Sequence, residues 1–229
     1  MIPAGAALRV VGDVHGDATG FAAATDTDRF VIQLGDLVDG GTDNAAVMRR
    51  AIRLVEEGHG LFLLGNHDRK LGRVLSGYAV QMDPALARTL EELDEALRVQ
   101  ALAAIARAPA WLRQGDRFFV HGGFHTSMLT RPPPPGLGRV DPLLSRALFG
   151  ETTGRTRPDG TPERLLRWVD HIPPGMTVYC GHDRRSTDGR PWVKHGRAGG
   201  TAIFLDTGAG KGGHLAWIDL PPLSRAGAA

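Results

Sequence analysis

Cysteine is nearly absent. Among 229 residues only Cys180 carries a thiol. An intrachain disulfide is therefore excluded, and a reducing cytoplasm is the expected compartment. Cys180 ends the apolar stretch Met176–Cys180, a setting that reads as a buried strand rather than a reactive surface. Long hydrophobic runs are also lacking. Nothing approaches the ~20 apolar residues of a membrane helix. The opening "MIPAGAALRVVG" has no charged start followed by an apolar core, so neither a signal peptide nor a membrane partner is expected. Aromatic residues are few, and the tryptophans (Trp111, Trp168, Trp192 and Trp217) are scattered, which leaves no platform for stacking bases. No sign of charge dominates: 27 Lys and Arg stand against 25 Asp and Glu, with a pI near 9.0. That mildly basic balance is compatible with phosphorylated or otherwise anionic substrates and does not demand nucleic acid, so stable nucleic-acid binding is not expected.

What the chain does have is a repeated arrangement. Short apolar runs end in glycine-containing turns that carry acids and imidazoles. Leu8–Val11 precedes "GDVHG", Phe30–Leu34 precedes "GDLVDGG", and Leu61–Leu64 precedes "GNHD". Phe118–Val120 precedes "HGG", Val178–Cys180 precedes "GHD", and Ala202–Leu205 precedes "DTGAGKGG". Such runs read as buried strands. Helices are expected between them, over Asp43–Glu57 and from Pro84 to about Ala108, the second capped by Asp83. The apolar face of the second helix reads as core or lid packing. Alternating strands and helices indicate an α/β chain. The turns "TDGRP" and "GKGG" suggest that the later strands form a second, more antiparallel sheet. The "SRAGAA" tail is expected to fray.

Any one of these loops alone is an ordinary turn. Together they are hard to explain as turns, because loops at the carboxyl ends of strands converge on one crevice. Carboxylate, imidazole and amide oxygen suit Mn, Fe or Zn rather than a soft metal. The donors are too many for one ion, and a shared carboxylate can bridge two. The "GAGKGG" stretch lacks the spacing of a phosphate loop and reads as a turn between strands. His59, His125, His171, His195 and His214 stand outside any motif.

From Leu8 to about Pro221 the chain resembles the calcineurin-like metallophosphoesterases, through "GDVHG", "GDLVDGG", "GNHD", "HGG" and "GH". Within them it looks like the phosphoprotein phosphatase branch, and especially the bacterial phosphatases and the phosphatase module of bacterial polynucleotide kinase-phosphatase. The stretches "LGNHDRKLGRVLSG", "FGETTGRTRPDGTPERLLRW" and "FLDTGAGKGGHLAWIDLP" carry that part of the likeness.

The resemblance implies an α/β fold, mixed α+β in detail, with two mixed β-sheets in a sandwich flanked by helices. It implies one domain over 1–229, with a helical insertion at about 84–108 and a flexible tail at about 222–229. It implies two divalent ions, Mn2+ before Fe or Zn. Asp13 and His15 would hold one, Asp36 would bridge, Asn66, His121 and His182 would hold the other, and Asp206 would lie at the first. His67 would be the general acid, oriented by Asp39. The activity implied is hydrolysis of phosphomonoesters by direct attack of metal-held water, on phosphoserine, phosphothreonine or phosphotyrosine in proteins. The alternatives are a diadenosine tetraphosphate hydrolase, a polynucleotide end phosphatase, and a non-catalytic metal-binding scaffold.

One departure stands out. The branch places an arginine after the aspartate of its second motif, and that arginine grips the phosphate. Here the stretch is Asp39-Gly40-Gly41. Arg155, Arg69 and Arg184 are the candidates to replace it; otherwise the site is widened for bulkier phosphates.

Overall fold

The computed structural model describes residues 2–158, 160 and 162–223. The expected frayed tail falls on 224–229, outside the described residues. The strands are β1 (Leu8–Val11), β2 (Phe30–Gln33), β3 (Gly60–Phe62), β4 (Trp111–Gln114), β5 (Arg117–Val120), β6 (Glu151–Thr156), β7 (Pro162–Leu165), β8 (Thr177–Cys180), β9 (Trp192–His195), β10 (Thr201–Phe204) and β11 (Trp217–Leu220). The helices are α1 (Ala18–Ala24), α2 (Asn44–Glu56), α3 (Asn66–Leu75), α4 (Pro84–Glu92), α5 (Glu95–Arg107) and α6 (Pro142–Phe149).

Two mixed sheets form, in the orders β11-β1-β2-β3 and β4-β5-β8-β10-β9, with β6 and β7 as a separate hairpin. Strands β1, β2 and β3 are mutually parallel, and so are β5, β8 and β10. The second sheet is therefore mixed, with antiparallel pairing only where β4 and β9 close its edges. The "GKGG" turn does not join neighbours within that sheet, because β10 lies in the second sheet and β11 in the first.

The apolar runs are continuous because their strands are covered on both sides. Val10, Ile32, Phe119 and Tyr179 belong to one buried cluster, drawn from both sheets. Their neighbours Val11, Val31, Phe118 and Val178 belong to the other, which includes the buried faces of the helices. This is the period-two alternation of a strand with two apolar faces. The Phe119 and Tyr179 rings stack with centroids 5.3 Å apart. Each such side chain contributes ~1.5–3 kcal/mol on full burial.

Helix α2 starts where Asp43 accepts the Ala46 amide at 2.7 Å. Asp83 caps α4 through the Leu86 amide at 2.9 Å. The single helix expected from Pro84 to Ala108 is two. Its chain breaks at Leu93, whose φ and ψ are −86° and 117°, and Asp94 restarts it by accepting the Leu97 amide at 2.8 Å. An aspartate that can cap a new turn competes with helix continuation. No helix among the described residues is long and apolar enough to cross a membrane.

Candidate metal centre and active site

Every candidate ligand leaves the carboxyl end of one of the parallel strands. The loop after β1 brings Asp13 and His15, that after β2 brings Asp36 and Asp39, and that after β3 leads into the first turn of α3 with Asn66 and His67. His121 follows β5, His182 follows β8 and Asp206 follows β10. The loops meet so closely that glycine is needed between them. A Cβ on Gly181 would collide with Asp13 Oδ1, and one on Gly65 would collide with the Asp36 amide. Among the described residues, the non-glycine positions with positive φ are His15, Asp36, Asp39 and His182, at 45°, 60°, 70° and 61°. All belong to this cluster. Left-handed backbone at such residues costs about 1–3 kcal/mol each and persists where the surroundings over-determine it.

Asp36 is the centre of the cluster. Its Oδ2 lies 3.3 Å from His121 Nε2 and 3.6 Å from His15 Nε2, and its Oδ1 accepts the His67 amide at 2.9 Å. His15 Nδ1 is 2.9 Å from the Val38 carbonyl and His121 Nδ1 is 3.0 Å from that of Leu34, so each ring turns Nε2 into the site. His121 Nε2 is also 3.1 Å from Asn66 Oδ1. The His182 amide donates to Asp13 at 3.0 Å, and the carboxylate of Asp206 acts electrostatically on Asp13. Two donor triads result, His15 with Asp36 and His67, and Asp36 with His121 and His182, each with ligand atoms within 4.8 Å of one another.

The donor set fits divalent ions. His182 Nε2 is buried with no hydrogen-bond partner among the described residues, as an imidazole aimed at a ligand would be. Burial, reinforced by the charge of Asp206, pushes the Asp13 carboxyl well above the usual carboxylate range. Burial also drives His15 down to about 4, and, with His121 nearby, holds His182 well below an ordinary imidazole. Burial opposes the charged form of Asp36 too, but His121 and His67 outweigh it and hold that carboxyl low. His121 is raised to about 9 against the effect of its own burial, chiefly by Asp36 and Asp13. Oxygen and nitrogen donors with no thiolate suit Mn, Fe or Zn.

His67 is the less buried imidazole, with a side chain 24% exposed. Its Nδ1 lies 2.8 Å from Asp39 Oδ2. Burial works against its protonated form, but the charge of Asp36 and the hydrogen bond to Asp39 raise its pKa. The other oxygen of Asp39 accepts the Thr89 hydroxyl at 2.7 Å, from α4. Glu92, at the end of α4, accepts the amide and the side-chain nitrogen of Asn44, whose Oδ1 faces the Gly40 amide at 3.4 Å. The helix expected to be packing alone thus also supports the Asp39 loop. Asp68 accepts the amides of Asp36, Leu37 and Gly65 at 2.7, 2.9 and 3.1 Å, which fastens the second motif to the third.

The arginine candidates lie elsewhere. Arg69 donates to the carbonyls of Gly136 and Gly138, both at 2.8 Å, and is thereby taken up by the chain around "RPPPPG". Arg155 is exposed on β6, and Arg184 is exposed after β8. Two cations that sequence reasoning passed over do reach the cluster. Lys211 Nζ stands 2.9 Å from His15 Nε2. Arg164 on β7, held by the Phe149 carbonyl at 2.9 Å, acts electrostatically on His182, Asp13 and Asp206. His125, outside any motif, accepts the Ser127 amide at 3.1 Å, which is a structural use.

The sequence profile of the calcineurin-like phosphoesterases matches residues 8–198. The chain belongs to that family. The phosphoesterase is a hydrolase of phosphate esters, and its two mixed sheets with flanking helices are the family fold. It is 26% identical to the asymmetrical bis(5'-nucleosyl)-tetraphosphatase PrpE of Anoxybacillus flavithermus, over 93% of this chain and 90% of that protein. The PrpE of Bacillus subtilis is 28% identical over 85% of this chain and 77% of its own length. The crystal structure of "a putative diadenosine tetraphosphatase" superimposes with a TM-score of 0.63 at 19% identity, covering 98% of this chain and 97% of the other. A serine/threonine phosphatase from Saccharomyces cerevisiae superimposes with a TM-score of 0.59 at 12% identity, over 96% of this chain and 81% of its own. Both structures bear on the fold.

Proposed function

We propose that the phosphoesterase hydrolyses dinucleoside polyphosphates, cutting a four-phosphate bridge off its centre to leave a nucleoside triphosphate and a nucleoside monophosphate. The observation that carries this reading is the match to asymmetrical tetraphosphatases over about nine-tenths of both chains. It displaces protein-phosphatase activity, the main expectation from the sequence, which has in its favour only fold likeness at 12–14% identity. A second reading, hydrolysis of alkyl phosphomonoesters, keeps one specific support. The His67–Asp39 pair is a general acid of the kind an alkoxide leaving group needs and a phosphate leaving group needs far less.

In this reading Asp13, His15, Asp36, Asn66, His121, His182 and Asp206 hold the metal ions, and Asp36 is shared between them. Two divalent ions, when bound, polarise the phosphoryl oxygens, lower the pKa of water and stabilise the charge of an in-line displacement. The protein's own part is to fix that geometry. Asp68 locks the loops of Asp36 and Asn66 together. Asp39 accepts the Nδ1–H of His67, which fixes the ring and leaves Nε2, turned away from the carboxylate, to carry the proton of the acid form, and Thr89 fixes Asp39. His67 then gives its Nε2 proton to the departing oxygen. With no cysteine in the cluster, direct displacement by water is favoured over a cysteinyl-phosphate intermediate.

The test sets diadenosine tetraphosphate, p-nitrophenyl phosphate and a phosphoserine peptide side by side with manganese, and resolves the nucleotide products by chromatography. ATP and AMP in equal amounts, with kcat/KM above that for the peptide, are expected. A phosphopeptide preference would overturn the proposal, and two ADP would overturn the off-centre cut.

A further inference from the structure

The space beside Asp39 is occupied by another loop. A Cβ on Gly40 would stand 2.6 Å from the His15 carbonyl oxygen, 2.9 Å from the His15 Cβ and 3.3 Å from the Gly210 carbonyl oxygen. The Gly41 amide donates to that same Gly210 carbonyl at 3.0 Å. The loop after β1, at His15 and Gly16, therefore fills the space where a side chain on Gly40 or Gly41 would stand, and the connection from β10 to β11 is fastened beside it through the Gly210 carbonyl. The next residue on that connection is Lys211. It is exposed as a residue, yet its ammonium turns inward to within 2.9 Å of His15 Nε2. Among the described residues it is the Lys or Arg side chain whose charged nitrogen is hydrogen-bonded to a candidate metal ligand. The charge of Asp206 faces it from the loop after β10, and its own charge acts on His15 and His67.

We propose that Lys211 grips the non-bridging oxygens of the phosphoryl group under attack, and is the cation this chain carries where its second motif has Gly40. The buried carboxylates of the cluster offset the charge of the ions they would hold, so the oxygens of a phosphate ester still gain from a cation that the protein itself supplies. Lys211 has the chemistry: three donors on a flexible stem that binds phosphate as a point charge. It also has the position, since the backbone that delivers it is pinned to the Asp39 loop at Gly41. Arg69 is taken up by carbonyls of 136 and 138. Arg164 stands on the opposite, His182 side of the cluster, so the two cations flank it. The inference rests on the hydrolysis of phosphate esters and is independent of which ester is cut.

Three proteins decide it: wild type, Lys211→Met and Lys211→Arg. Each is loaded with manganese and checked for metal content by mass spectrometry and for melting temperature. Inorganic phosphate is the probe, read as a dissociation constant by calorimetry and as an inhibition constant against p-nitrophenyl phosphate. Loss of a charge-assisted contact predicts roughly 10–100-fold weaker phosphate binding in Lys211→Met, with a matching rise in KM. Metal content and melting temperature should be unchanged, and Lys211→Arg should recover most of the loss. Unchanged phosphate binding in Lys211→Met overturns the proposal. So does a gain in bound manganese without loss of phosphate, which would make the ammonium a competitor for the metal at His15. A fall in manganese or in melting temperature that accounts for the loss would make Lys211 structural and overturn it too. If wild type neither cleaves p-nitrophenyl phosphate nor binds phosphate, the reading of the whole site falls, a result distinct from a loss confined to Lys211→Met.

Discussion

His67 and Asp39 are joined by a 2.8 Å contact between Nδ1 and Oδ2, and the carboxylate is completely buried beneath the partly exposed ring. The proton on His67 is therefore governed by a partner that solvent cannot screen. Burial lowers the pKa of His67, while the Asp36 charge and the Asp39 hydrogen bond raise it, and the raising effects prevail. Without metal the acid form is thus kept to higher pH than in an ordinary histidine; with Asp36 engaged by metal the Asp39 hydrogen bond is the cause that upholds it, and activity that needs the acid fades as pH rises through its pKa. Asp39→Asn removes one raising cause, so the alkaline limb of kcat should move to lower pH. His67→Ala should cost ~10²–10⁴-fold on an alkyl phosphate ester, and much less on p-nitrophenyl phosphate, whose leaving group departs without a proton. Equal losses on both substrates would place His67 in metal or phosphate binding instead.

Thr89 extends the same chain of contacts by one member. Its hydroxyl donates to the oxygen of Asp39 that His67 does not use, at 2.7 Å and fully buried. Thr89→Val keeps the shape and removes the donor, which leaves a buried carboxylate oxygen unpaired at a cost of ~1.5–3 kcal/mol. The expected result is a fall in kcat of about tenfold with KM little changed, and recovery in Thr89→Ser. Loss of stability with kcat unchanged would make Thr89 a packing residue.

The candidate ligands were legible because their chemistry is local. An acid, imidazole or amide directly after an apolar strand is a pattern that a linear reading detects, and parallel strands then carry the loops to one end. The acids and imidazoles at Asp13, His15, Asp36, His121 and His182 meet for that reason. Thr89 was not legible. A threonine in an amphipathic helix carries no signal until α4 packs on the Asp39 loop. Asp68 stood among the polar residues at the strand ends, in "GNHD", but its role could not be read, because what it does is accept three amides from two loops. The gap at Gly40 could be read, but not its filling. The named arginines were chosen for nearness in sequence to the motifs, whereas Lys211 reaches His15 across 196 positions, on a loop that read as a plain turn. The break between α4 and α5 had a signal in Asp94, but the apolar spacing running across it masked the cap.

Asp68 holds the site's two central loops at once, so its removal should be felt as instability before it is felt as lost chemistry. Asp68→Ala leaves three buried amide donors without their acceptor, a cost of about 3 kcal/mol or more. For a chain of this size that is a fall of about 6–12 °C in melting temperature. Asp68→Asn keeps one oxygen and should fall between wild type and Asp68→Ala. A variant that melts like wild type would show that the loops are held by their glycine contacts alone.

Asp36 is shared between both donor triads, whereas His182 belongs to one. If Asp13, His15 and Asp206 hold one ion, Asn66, His121 and His182 the other, and Asp36 both, with His67 left as the acid, His182→Ala should retain about half the bound manganese and Asp36→Ala almost none, by mass spectrometry of dialysed protein. Chelation should abolish turnover in the wild type. Manganese at 100 times its dissociation constant should stabilise the fold by about 2.7 kcal/mol, or roughly 5–10 °C in melting temperature for this size. The pH dependence has a definite sign. His121, raised to about 9 chiefly by Asp36 and Asp13 against its burial, carries a proton at neutral pH that a metal must displace. Manganese uptake should therefore release protons to the buffer, and affinity should fall as pH drops from 9 to 6. Proton release should shrink in His121→Asn, whose side chain has no proton to lose. Uptake without proton release in the wild type would remove His121 from the ligand set.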